Sequence, residues 1–350
     1  MVEKTKELNE KEFAEKYGLV MTDINDLSEQ QELVSTGIYG IDYITGGIWR
    51  GHIFNVEGPE KSGKSSLMYT IISRLIKTKN FNVGLIDAEG SLDETFMTNL
   101  GLINSPNFKI IKVVGTGEQA LSGIHKIILS GKFDVLAIDS FAAFVPEKLI
   151  DNDSAGQYAR MLSKYIGAIS QAALSTNTII LGSNQIRTDL SSFHPRNITP
   201  GGNSLRHFSA TRISMSAKET EQYFQYSLAR CHKSKNHIPN REMYFKIFYG
   251  KGIDEGYDRV EVGLKIKAIT EDVKGWLEFD GKKYRRHDLE ILLAHTDPKW
   301  SLELLAKEDA PKEEMLPTQM LDTVPISEPV IEDVPKPEEK QETKPKKKVK

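Results

Sequence analysis

The sequence predicts an α/β protein: a mostly parallel sheet with helices on both faces, extended by antiparallel strands and followed by a small α+β unit. Three observations carry that prediction. Apolar runs at Ile53–Val56, Val83–Ile86, Ile110–Val114, Val135–Ile138 and Thr178–Leu181 alternate with helix-length segments, the pattern of a doubly covered parallel sheet. Between the first run and the helical stretch that starts at Ser66 stand Gly58-Pro59-Glu60-Lys61-Ser62-Gly63-Lys64-Ser65, the G-x-x-x-x-G-K-[ST] spacing of a phosphate-binding loop. From Ala210 to Tyr249 the runs become closely spaced, with Thr211–Met215 and Tyr244–Phe248 reading as antiparallel strands of the same sheet.

Taken in order, residues 1–34 form a charged arm. Its stripe of Leu8, Phe13, Tyr17 and Leu19 is too small to fold alone, so the arm is expected to dock on something else. Residues 35–255 form the nucleotide-binding core. Residues 256–307 form a small unit with Trp276, Leu277, Phe279, Leu289, Ile291 and Leu292 as its expected core, and Trp300 is read as core too. Residues 308–350 hold seven of the fourteen prolines and end in a lysine-rich run, a composition that cannot bury enough surface to order itself. The chain has 350 residues, 39% apolar content and one cysteine, Cys231, which excludes an internal disulfide. It has no apolar run of membrane-spanning length and no apolar signal segment at its charged start, so a cytoplasmic protein is expected. A net charge of −3 gives no global sign of nucleic-acid binding, which must come from local basic clusters. Cys231, His232 and His237 lack a second paired ligand set, and no zinc site is expected.

The loop chemistry points to a nucleoside triphosphate with Mg2+. Glycines at 58 and 63 let backbone N–H groups turn in on a phosphate, the helix N-terminus adds partial positive charge, and Lys64 brings a full charge. Ser65 is the expected magnesium ligand, with Ser66 next to it in the first turn. Strand 135–138 delivers Asp139 to the same sheet edge, where it would hold the metal through water. Glu89, just past strand 83–86, is placed to polarise an attacking water.

These residues resemble the RecA family of recombinases over most of the chain. Ser35-Thr36-Gly37, Gly40-Ile41-Asp42 and Gly46-Gly47 look like the family's entry segment, and Asp87-Ala88-Glu89-Gly90-Ser91-Leu92-Asp93 like its catalytic-glutamate segment. The resemblance implies that Glu89 is the general base, that Asp93 meets the adenine edge and that Phe96 replaces a stacking tyrosine. It makes Asn184-Gln185-Ile186-Arg187 a γ-phosphate sensor read by Gln185. It makes the following loop to Pro200, closed by Gly201-Gly202-Asn203, a DNA-binding loop with Arg187, Phe193 and Arg196 on single strands. A first DNA loop would be residues 148–157, whose acidic run leaves only Arg160, at the start of the next helix, as a contact. Lys233 and Lys235 align with lysines that reach the triphosphate of a neighbouring subunit, an alignment fixed by Pro239 and by Tyr249-Gly250-Lys251-Gly252-Ile253, with Tyr249 counted among the nucleotide contacts.

The implied function is a DNA-dependent ATPase that filaments on single-stranded DNA and catalyses homologous pairing and strand exchange in recombination and repair. Its implied partners are single-stranded DNA, homologous double-stranded DNA, further copies of itself, and single-strand-binding or mediator proteins. A RecA-like accessory protein without strand exchange, a hexameric helicase and a small-molecule kinase are the alternatives. The sequence departs from the family at His207, where an aromatic residue is usual, and in the lengths of the DNA loops. Lys282, Lys283, Arg285 and Arg286 form a basic set on the small unit that could meet duplex DNA.

Overall fold

The computed structural model describes residues 32–147, 156–189, 196–198, 203–235 and 239–306. The arm up to residue 31, the first DNA loop from 148 to 155, Phe193, Gly201, Gly202 and the tail from 307 lie outside the described residues, as does His237.

In chain order the elements are β1 (Leu33–Val34), α1 (Tyr39–Thr45), β2 (Ile48–Trp49), β3 (Ile53–Gly58), α2 (Lys64–Lys79), β4 (Val83–Asp87) and α3 (Glu94–Asn99). There follow β5 (Phe108–Lys112), α4 (Gly117–Leu129), β6 (Val135–Asp139), a short 3₁₀ turn at Phe141–Ala143, α5 (Gly156–Thr176) and β7 (Ile179–Gln185). After them come β8 (Arg187–Asp189), β9 (Arg196–Ile198), α6 (Ser204–Phe208), β10 (Ser209–Thr220), β11 (Phe224–Lys233), β12 (Glu242–Phe248) and β13 (Gly252–Ile253). The chain continues through α7 (Glu255–Lys265), β14 (Thr270–Glu271), β15 (Leu277–Phe279), β16 (Lys282–Tyr284), α8 (Arg286–His295) and α9 (Leu302–Ala306).

Nine strands form one sheet in the order β13-β12-β11-β10-β3-β7-β6-β4-β5. Strands β5, β4, β6, β7, β3 and β10 run parallel, and β11, β12 and β13 continue the sheet antiparallel. The central strands β3, β7, β6 and β4 are buried on both faces, which is why they read as unbroken apolar runs rather than alternating ones. One face packs on α2 through Leu67, Ile71, Ile72 and Leu75, and the other on α4 and α5 through Leu121, Ile124, Leu162 and Ile166. α4 is closed at its start by a capping box, with the Thr116 hydroxyl accepting from Gln119 N and the Gln119 side chain accepting from Thr116 N.

A smaller core of Val260, Ile269, Leu277, Leu289 and Leu293 lies under the three-stranded sheet β14-β15-β16. Helix α7 contributes Val260 to it and Val262 to the large core, which Ile266 just past the helix also joins, so the small unit is fused to the main body here. Ile291, expected in the small core, is 51% exposed, because Val260, Ile269 and Leu293 fill that space instead. Trp276 is half-buried with the Arg285 guanidinium 3.9 Å over its ring, and Trp300 packs against both cores. The basic set there is largely engaged: Lys283 pairs with Asp272, and Arg286 with Glu261 and Glu290. The segment after Gln185, read as a DNA-binding loop, contains a two-stranded antiparallel ribbon, with Arg187 opposite Ile198 and Asp189 opposite Arg196.

Candidate active site

Parallel register brings the functional strand ends together. Gly58 pairs beside Gln185 across β3 and β7, and Asp87 beside Asp139 across β4 and β6. Four strands thus end side by side, and the turn leading into α2 starts from the first of them.

The turn needs its glycines. Gly63 stands at φ 90° as the residue before α2, and a Cβ at Gly58 would lie 2.4 Å from the carbonyl oxygen of Met215. No side chain caps α2, so its first N–H groups are available to an anion. The buried Ser62 hydroxyl has no hydrogen-bond partner among the described residues, and the Lys64 ammonium donates to the Pro59 carbonyl at 2.7 Å. Burial lowers the Lys64 pKa, and the charges of Asp139, Glu89 and Glu60 oppose that shift. A left-handed glycine, uncapped N–H groups, an unpartnered hydroxyl and a lysine are the donor set a polyphosphate requires, so the residues present fit ATP. Gln225 on β11 holds the loop from behind, donating to the Lys61 carbonyl at 3.0 Å.

Ser65 is half-buried in the first turn of α2, with Ser66 beside it. Asp139 is buried, with Ser183 Oγ donating to its Oδ1 and Tyr69 Oη to its Oδ2, each at 2.5 Å. A hydroxyl and a fixed hard carboxylate are donors suited to magnesium. Glu89 is exposed at the edge. Ser140 Oγ donates to its Oε1 at 2.5 Å, and Gln185 Nε2 lies 3.4 Å from the same oxygen. The backbone reinforces this, since Ala88 N and Glu89 N both donate to the Asp139 carbonyl. Glu89 opens onto a cavity of about 490 Å³ lined also by Asp87, Leu92, Glu94 and Lys112.

The base-side residues assemble nearby. Asp93 precedes α3 and spends its Oδ1 on Phe96 N at 2.8 Å, while the Phe96 ring sits 5.9 Å from that of Tyr69. Asn99 donates to the Gly250 carbonyl, which draws the turn holding exposed Tyr249 toward α3.

Lys233 and Lys235 lie apart from this edge. Lys233 Nζ donates to the carbonyls of Arg206 and His207 at the end of α6, and Lys235 Nζ lies 2.9 Å from His52 Nε2. Arg160 is exposed on α5, Asn203 is exposed just ahead of α6, and Arg187 and Arg196 begin β8 and β9. Beside Ile186 a cavity of about 430 Å³ gathers Arg206, Arg212, Lys218, Arg230 and His232 over Glu57, whose Oε1 lies 3.4 Å from Arg212 Nε. This basic cavity, and the roles of Tyr69, Ser183, Ser140 and Gln225, were not anticipated from sequence. Tyr69 reads as one more apolar position of α2, and the cations of the cavity alternate along strands whose pairing must be known before they converge.

A nine-stranded, mostly parallel sheet with a phosphate loop after β3 and carboxylates at the ends of the neighbouring strands defines a P-loop nucleotide-binding protein with a RecA-like core. Residues 1–254 match the family model for the RecA N-terminal domain. The chain is 33% identical to Protein RecA of Helicobacter pylori strain G27 over 269 residues, 73% of this chain and 76% of that protein. It is 30% identical to Protein RecA of Chelativorans sp. strain BNC1 over 271 residues, 74% of each. The chain belongs to the RecA family of recombinases. Among the described residues no helix is long and apolar enough to cross a membrane.

Proposed function

We propose that this protein is a cytoplasmic, DNA-dependent ATPase that forms a helical filament on single-stranded DNA and pairs that strand with a homologous duplex. One observation carries the reading: Gln185, beside the phosphate loop and Glu89, runs directly into the ribbon whose strands include Arg187 and Arg196. A group that responds to the γ-phosphate is therefore continuous with a candidate DNA contact.

In this reading Lys64 and the first N–H groups of α2 bind the phosphates, with Pro59 to Ser62 and Ser66 completing the cradle. Ser65 and Asp139 hold magnesium, which when bound offsets charge on the β- and γ-phosphates. Glu89, oriented by Ser140, takes the proton of the attacking water, and Gln185 reports the loss of the γ-phosphate to the ribbon. Asp93, Phe96 and Tyr249 flank the base. Arg160, Arg187, Phe193, Arg196, Gly201, Gly202 and Asn203 meet the DNA, and the basic cavity beside Ile186 offers further phosphate contacts. Lys233 and Lys235 complete the triphosphate site of the next subunit. In doing so Lys233 exchanges the α6 carbonyls for phosphate oxygens, which ties subunit contact to α6 and the loop before it. Pairing itself needs no side-chain chemistry on DNA, because base pairing tests homology. The chain is then divided into an oligomerisation arm at 1–34, a core at 35–255, a small domain at 256–307 and a charged tail at 308–350.

The test is ATP hydrolysis by the purified protein with and without single-stranded DNA, with Lys64→Ala as the blank. The expected result is hydrolysis stimulated by DNA in a manner that depends on protein concentration and lost in Lys233→Ala. Hydrolysis indifferent to DNA would break the link from Gln185 to the ribbon, and a wild-type rate in Lys233→Ala would remove the site between subunits.

A further inference from the structure

We propose that Tyr69 and Ser183 form a hydroxyl clamp that positions the Asp139 carboxylate for magnesium, and that Tyr69 joins this metal end of the site to the base end at Phe96. The inference rests on the nucleotide site proposed above and concerns residues that site had not included.

Each oxygen of the Asp139 carboxylate receives one protein hydroxyl, Tyr69 Oη on Oδ2 and Ser183 Oγ on Oδ1, both at 2.5 Å. All three side chains are buried: Asp139 is 3% exposed, Tyr69 4% and Ser183 0%. With solvent excluded, these two donors decide the rotamer of the carboxylate. They arrive from different elements, α2 and β7, so the plane of the carboxyl group is held from two sides. A carboxylate oxygen can accept two hydrogen bonds, so each keeps a lone pair for a water of a hydrated cation. A carboxylate that holds magnesium through water depends on such orientation, because the outer partners of a metal site fix the geometry of the groups that face the ion.

The second half of the proposal comes from the other end of the same side chain. The Tyr69 ring lies 5.9 Å from that of Phe96 at 53°, and Phe96 is otherwise packed at the margin of the large core. The hydroxyl of Tyr69 thus touches the metal-side carboxylate while its ring backs the aromatic residue read as the base contact. Tyr69 and Ser183 are positioning residues, since neither is placed to touch a reacting atom.

Two substitutions separate the two roles. Tyr69→Phe removes only the hydroxyl, and Tyr69→Leu removes the ring support as well. The readout is binding of a fluorescent ADP analogue to the full-length protein, titrated with magnesium, with melting temperatures in parallel. Tyr69→Phe is expected to raise the magnesium concentration at half-binding roughly tenfold while leaving nucleotide affinity at saturating magnesium within about twofold. Tyr69→Leu is expected to show the same magnesium shift and, in addition, weaker nucleotide binding at saturating magnesium. Ser183→Ala probes the other arm of the clamp and is expected to raise the magnesium midpoint in the same direction. An unchanged midpoint in both Tyr69→Phe and Ser183→Ala would overturn the clamp. Equal nucleotide affinity in Tyr69→Phe and Tyr69→Leu would overturn the connection to Phe96. Wild-type binding that ignores magnesium, or survives Lys64→Ala, would sink the nucleotide-site reading itself and the clamp with it.

Discussion

At the sheet edge Asp139 is buried beside the phosphate loop, and at the junction of α1 and α7 Asp42 and Asp258 are buried as deeply, yet the surroundings differ in kind. Asp42 accepts from Ser35 Oγ at 2.5 Å and Thr36 N at 2.8 Å, and Asp258 accepts from Gly40 N at 3.0 Å, so both carboxylates fasten the chain around α1. The void beside Asp258 is about 10 Å³, whereas the cavity onto which Glu89 opens is about 490 Å³. Burial pushes the junction carboxyls up, Asp42 to about 6 and Asp258 to about 7, with the Asp42 charge adding to the rise at Asp258. What distinguishes the site is access, together with side chains converging from four adjacent strand ends and the helix that follows them.

The largest expected effect tests the edge. Glu89→Gln keeps the shape of the side chain and an oxygen for Ser140 but cannot take a proton, so DNA-stimulated hydrolysis should fall by about 10²–10⁴-fold. Nucleotide binding should persist. Asp258→Asn should leave turnover close to wild type, because the Asp258 carboxylate fastens Gly40 N at the start of α1 rather than a residue of the phosphate loop. A reversed result, with Asp258→Asn inactive and Glu89→Gln active, would overturn the comparison.

A second measurement separates the regions by pH. Asp42 and Asp258 have folded-state pKa values above their unfolded values, so the folded protein binds protons more tightly than the unfolded chain. Their contribution to stability is complete below about pH 4 and is lost as pH rises through about 6 to 7. From Asp258 alone the loss between pH 5 and 7.5 is on the order of 2 kcal/mol. Asp258→Asn retains an acceptor for Gly40 N and removes the titration. Subtracting its denaturation curve from that of the wild type should leave a term that declines over this window, and a flat difference would show that Asp258 ionises in the folded state as it does in water.

The two regions also differ in how far they were legible in the sequence. The phosphate loop, Asp139 and Glu89 could be read because fixed spacing, a preceding apolar strand and a following helix are local properties of the chain. The order of β3, β7, β6 and β4, which sets Gly58 beside Gln185 and Asp87 beside Asp139, is a long-range property that the alternation of elements only implies. Tyr69 was hidden because a tyrosine among Leu67, Met68, Ile71 and Ile72 satisfies the helical stripe by its ring, and its hydroxyl acquires a purpose only when β6 lies alongside. Gln225 and the basic cavity depend on the antiparallel register of β10 and β11, including its irregularities between Arg212 and Ile213 and between Ala217 and Glu219. Ile291 shows the converse error: in a ten-residue helix such as α8, several apolar positions could serve as the inner face, and Leu289 and Leu293 take it.

The smallest expected effect concerns a carboxylate that belongs to neither class. Asp93 is exposed, and its Oδ1 accepts from Phe96 N at the start of α3, which is the work of an ordinary N-cap. The same group is the proposed contact for the adenine edge, and one side chain can serve both because only one oxygen is used by the helix. Asp93→Ala should cost about 1 kcal/mol of stability through the lost cap. Asp93→Asn keeps a cap acceptor, so its melting temperature should stay near wild type. If Asp93 recognises adenine, Asp93→Asn should still lose preference for ATP over GTP, because replacing a carboxylate oxygen by an amide changes the acceptor offered to the exocyclic amine. Selectivity that follows melting temperature across the two variants would make Asp93 a structural cap of the junction type; selectivity lost while stability is kept would place it with the edge.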